Sequence, residues 1–96
     1  MIKHPEFKSL AALKRAITVG TKLRVIEHWN PALRGTSRVI TRTQTNGVYF
    51  AVPGIEKWKN AWMPYPSAKA ISFPAPGRFR IDFGDRSWEL EFEEPP

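Results

Sequence analysis

The chain has no cysteine, so neither a disulfide framework nor a thiolate metal site can form, and a thiol nucleophile is excluded. Histidine is almost as scarce. His4 and His28 are the only two, and neither sits in an i, i+4 His pair or beside a spaced set of carboxylates, so no metal site is expected. There is no Gly-rich phosphate loop and no Gly-x-Ser-x-Gly elbow, and no cofactor is expected. No apolar run approaches the length of a membrane span, and the N-terminus lacks an apolar signal-type stretch. These absences point to a cytoplasmic protein that does not engage membranes. Acid is short in one half only. Residues 1–50 carry nine basic side chains (Lys3, Lys8, Lys14, Arg15, Lys22, Arg24, Arg34, Arg38, Arg42) against Glu6 and Glu27. Residues 51–96 carry six basic and seven acidic ones. The formal net charge of +6 therefore belongs to the first half, which favours a negatively charged partner.

What is present suits one small domain, residues 1–96. Four Trp, six Phe and two Tyr supply large rings that bury much area per residue. Residues 1–19 read as a helix, with Pro5 at a first helical position and Phe7, Leu10, Leu13 and Ile17 along one stripe. Lys14 and Arg15 fall in its last turn, and Gly20 stops it.

From Lys22 the apolar period becomes two, and a β-rich body runs over 22–92. Asn46-Gly47 between β-branched runs predicts a type I′ hairpin with those two residues as its loop. That register puts Val39, Thr41, Thr43, Thr45, Val48, Phe50 and Val52 on a core face. Arg38, Ile40, Arg42, Gln44, Tyr49 and Ala51 fall on the other. Ile55, Trp58 and Trp62 at i, i+3 and i+7 predict a short helical insert near 55–63. A second hairpin follows over 78–92, turning at Gly84-Asp85, with Ile81 opposite Trp88, Phe79 opposite Leu90, Arg80 opposite Glu89 and Arg78 opposite Glu91. Residues 93–96 read as a frayed tail. The expected class is α+β: an N-terminal helix on a strongly bent antiparallel sheet of about five strands, able to close into a small SH3-like barrel.

Binding is better supported than catalysis. Arg38, Arg42, Gln44 and Tyr49 converge on one face of the predicted hairpin, with Lys22, Arg24 and His28 extending it. Guanidinium groups pair with phosphate oxygens and an exposed Tyr stacks on an unpaired base, so the expected partner is nucleic acid or a nucleoprotein. Trp58 and Trp62 with Lys57 and Lys59 form a second candidate surface, for an acidic protein partner. A toxin-type ribonuclease is a further alternative, drawing on Glu27, His28, Arg24, Arg38 and Arg42. Adjacent positions on a strand send Glu27 and His28 to opposite faces, which weakens that acid–base pair.

The order of segments also carries a resemblance. Phe7-Lys8-Ser9-Leu10-Ala11-Ala12-Leu13-Lys14-Arg15-Ala16, Val19-Gly20-Thr21-Lys22, Arg38-Val39 through Gln44-Thr45-Asn46-Gly47-Val48-Tyr49-Phe50, and Trp62 with Pro64 and Pro66 make up about two thirds of the chain. Together they resemble small proteins carried by bacteriophages and mobile elements. The resemblance implies a bacterial host cell and action on host or phage nucleoproteins, including inhibition of defence systems of the CRISPR type. No functional residue is carried over with it. Many such inhibitors are acidic mimics of nucleic acid, and the charge of +6 departs from that pattern.

Overall fold

Residues 6–94 are described by a computed structural model. A short helix, α1 (Leu10–Ala16), precedes seven strands: β1 (Lys22–His28), β2 (Ser37–Gln44), β3 (Gly47–Ala51), β4 (Ala61–Pro64), β5 (Ile71–Ser72), β6 (Arg78–Phe83) and β7 (Arg86–Phe92). All seven pair antiparallel in one sheet ordered β4-β3-β2-β1-β7-β6-β5. β1 joins the two hairpins, pairing with β2 on one side and β7 on the other. The class is α+β as the sequence predicts. The sheet has seven strands instead of five, and it stays open, because β4 and β5 end it without meeting. No helix among the described residues is long and apolar enough to cross a membrane.

The extra strand comes from the stretch read as a helical insert. Only a 3-10 turn forms, at Glu56–Trp58, and Trp62 lies on β4. Pro64 disfavours helical backbone at Met63, and pairing with β3 satisfies the extended backbone. The N-terminal helix is shorter than 1–19. It starts at Leu10, where the Ser9 hydroxyl accepts the Ala12 N–H at 3.1 Å, a stronger N-terminal signal than proline. Pro5 lies outside the described residues. At the other end the Glu93 N–H donates to the Lys22 carbonyl at 3.0 Å, so the chain is held one residue further than expected. Of the remaining tail, Glu94 is exposed, and Pro95 and Pro96 lie outside the described residues.

One face of the sheet carries the core. Leu23, Val25, Ile40, Val48, Phe50, Met63, Phe79, Ile81, Leu90 and Phe92 point inward and pack with Leu13 and Ile17 of the helical segment. Phe7 joins them against Phe92, ring centroids 5.2 Å apart.

The C-terminal hairpin has the predicted register: Ile81 opposite Trp88, Phe79 opposite Leu90, Arg80 opposite Glu89 and Arg78 opposite Glu91. Gly84 takes φ 63° and Asp85 does not turn positive, as a II′ turn requires. The first hairpin is one residue out. Gln44 pairs with Gly47, so Thr45 and Asn46 make the turn, and neither they nor Gly47 takes a positive φ. Gly47 serves a different need. A Cβ there would stand 2.5 Å from the Trp62 ring and 2.7 Å from the Met63 carbonyl oxygen, so the glycine lets β4 and its tryptophan close over β3.

Candidate ligand pocket lined by tryptophan

Two β-bulges decide which side chains face the site. In β1 the register against β7 shifts between Val25 and Glu27. Leu23, Val25 and His28 therefore all point inward, and Trp29 emerges half exposed at 50%. In β2 the register against β3 shifts between Ile40 and Arg42. Arg38 and Ile40 consequently face the core, whereas Arg42 lies opposite Tyr49 on the outer face.

The predicted binding face is therefore split. Arg38 is 5% exposed and belongs to the inner side. Arg42, Gln44 and Tyr49 stay together outside, with the Arg42 guanidinium 5.9 Å from the Tyr49 ring centre. Lys22 and Arg24 share that outer side, and Arg24 is engaged by Glu93 at 3.7 Å. His28 leaves them for the inner side, buried at 7% exposure. The residues of the second predicted surface also separate. Lys59 pairs with Glu56, Lys57 is exposed, Trp58 stacks on Phe50 with rings 12° from parallel, and Trp62 tilts against Tyr49 at 4.9 Å.

The inward displacement of Arg38 and His28 builds a candidate site on the sheet's buried face, to which the helix contributes no lining residue. A cavity of about 170 Å³ is lined by His28, Trp29, Asn30, Leu33, Arg38, Phe50, Trp58, Trp62, Met63, Pro64 and Trp88. All four tryptophans of the chain contribute to that lining, although the Trp62 ring itself packs on Tyr49 of the outer face. An apolar cavity of about 150 Å³ takes up a benzene ring, so this one has room for a ring system. The rings continue outside it: Trp88 meets Phe83 at 5.4 Å, and Arg86 lies 4.7 Å over Trp29.

Arg38 is the unusual group. Its guanidinium lies 4.3 Å over the Phe50 ring, and Nη1 donates to the Met63 thioether at 3.4 Å. Among the described residues no carboxylate is paired with it. Burial pushes its pKa down to about 10, which still leaves it charged at neutral pH. Burial, and secondarily the Arg38 charge, also lowers the His28 pKa, so this imidazole is neutral at pH 7. A cation and the indoles of Trp29, Trp58 and Trp88, with no carboxylate in the lining among the described residues, suit a guest that brings its own electron pairs.

Trp29, Phe50, Met63 and Trp88 line the candidate pocket and are not singled out by the sequence pattern. Alternation assigned Phe50 to the core and Trp88 to an apolar cross-strand pair. The usable signal was the number of tryptophans in so short a chain. Glu27, the carboxylate invoked for a ribonuclease, is exposed and pairs with Arg34 at 3.3 Å, while the His28 Nδ1 accepts the Asn30 N–H. No family model, curated protein or solved structure matches the chain.

Proposed function

We propose that this chain is a non-catalytic protein that binds single-stranded nucleic acid, free or within a nucleoprotein, by taking an unpaired base into the tryptophan pocket. The observation that carries this reading is Arg38: a buried guanidinium with no carboxylate partner among the described residues, at a cavity to whose lining every tryptophan contributes. A buried cation costs stability unless something pairs with it. A nucleic acid offers acceptors for the guanidinium and ring faces for the indoles, where stacking contributes about 1–3 kcal/mol per base. Arg86, over the pocket residue Trp29, offers a phosphate contact to a backbone leaving the pocket. The basic first half of the chain supports the same choice of partner.

Titration with short single-stranded DNA and RNA, followed by tryptophan emission, tests it directly. Binding should quench the emission, weaken steadily with added salt, and be much poorer for the same sequence as a duplex. Absence of binding to any single strand at low salt would contradict the reading and leave an acidic protein as the partner to seek.

A further inference from the structure

Among the polar side chains of the lining, donors outnumber free acceptors. Arg38 carries five N–H donors, of which Nη1 meets only the Met63 sulfur. Trp88 Nε1 is buried with no hydrogen-bond partner among the described residues. His28 accepts the Asn30 N–H on Nδ1 at 2.9 Å, so in the neutral ring the proton sits on Nε2. Asn30 uses its Oδ1 to accept the Ala32 N–H at 3.1 Å, leaving its NH₂ to donate. The other tryptophans also offer only N–H, and the lining contains no Asp, Glu, Ser, Thr, Tyr or Gln. A guest that supplies acceptors on a flat frame able to lie among rings fits these side chains.

Resting on the single-strand reading above, we propose that the pocket is selective for guanine, taken in with its O6 and N7 edge toward Arg38. Those two atoms are adjacent acceptors at the spacing of a guanidinium fork, and the bicyclic ring gives a large stacking face. Adenine sets its N6 amino donor beside N7, so a donor would meet a donor. Cytosine presents O2 and N3 on a single ring, with less surface for the indoles. A phosphate supplies acceptors but no ring face, and would leave the tryptophans unused.

The test uses short thymidine oligonucleotides carrying one central guanine, adenine, cytosine, hypoxanthine or 7-deazaguanine, titrated against the full chain. Guanine should bind roughly ten-fold tighter than adenine, the scale of one bidentate contact. Hypoxanthine, which keeps O6 and N7, should match guanine. The 7-deaza base, which lacks the N7 acceptor, should fall to the adenine level. Arg38→Lys keeps a cation but loses the fork, so it should still bind with salt dependence while the guanine-to-adenine ratio approaches one. Equal affinity for guanine and adenine, a preference for cytosine, or full affinity for 7-deazaguanine would overturn the guanine assignment and leave single-strand binding intact. Failure of every oligonucleotide to bind would instead overturn the single-strand reading on which it rests.

Discussion

The outer face of the C-terminal hairpin and the tryptophan pocket both hold arginines, and they treat them in opposite ways. Arg78 reaches Glu89 at 3.6 Å and Glu91 at 3.5 Å, and Arg80 reaches Asp82 at 3.3 Å and Glu89 at 3.9 Å. Both are partly exposed, so water and carboxylates share their solvation. Arg38 is buried with an aromatic face, a sulfur and no carboxylate among the described residues. The hairpin's charges satisfy one another and contribute a well-solvated exterior. The pocket's charge is held in a costly place, offset only by the Phe50 ring and the Met63 sulfur. Charge count alone does not distinguish the two regions; partner and burial do.

That contrast can be broken or sharpened by substitution. The largest stability effect belongs to the scaffold: Phe79→Ala, at a fully buried ring, should destabilise by about 3–5 kcal/mol in urea unfolding. Trp29→Ala, at a half-exposed pocket wall, should leave the unfolding midpoint nearly unchanged while weakening oligonucleotide binding. Equal stability losses at the two positions would erase the distinction between scaffold and site.

Gly47→Ala joins the regions, since its Cβ would strike the Trp62 ring and the Met63 backbone. It should cost about 1–3 kcal/mol and blue- or red-shift the tryptophan emission as β4 and Trp62 move.

Acidification acts on the pocket next. The folded-state pKa of His28 lies below its ordinary value of 6.5, so below pH 6.5 the unfolded chain takes up the proton first. This contribution to stability is fully present above pH 6.5 and is lost as pH falls from there through the lowered folded pKa. His28→Gln should flatten that part of a stability-against-pH curve. The smallest effect is expected on the hairpin exterior, where Glu91→Gln should change stability by less than about 1 kcal/mol and binding not at all.

The C-terminal hairpin was legible because each local cue agreed: Gly84-Asp85 set the turn, strict alternation set the faces, and opposed charges set the register. The first hairpin was not, for reasons visible in its residues. Asn46-Gly47 is the usual I′ dipeptide, yet Gly47 is needed for the approach of Trp62, and the turn moves one residue back. The bulges at Val25–Glu27 and Ile40–Arg42 then reverse the alternation from which the site had been read. A bulge is set by long-range pairing, in β1 against β7, and leaves no local sequence signal. So several residues of the candidate pocket stand out in the sequence, Arg38, His28, Trp58 and Trp62 among them, while their grouping does not. Arg42, Gln44 and Tyr49 were grouped correctly but lie on the other side of the sheet from Arg38.

The contrast between the two arginine environments reduces to one measurement with two readouts, made on Arg38→Met. Methionine fills similar volume without charge, so a cation kept for a ligand and not for the fold should be replaceable at a gain. Thermal unfolding should occur several degrees higher, since about 1 kcal/mol moves the midpoint of a domain this size by about 4–8 °C. Single-strand binding should fall to the level of non-specific phosphate contacts. A protein that is destabilised, or that binds as the parent does, would contradict the account.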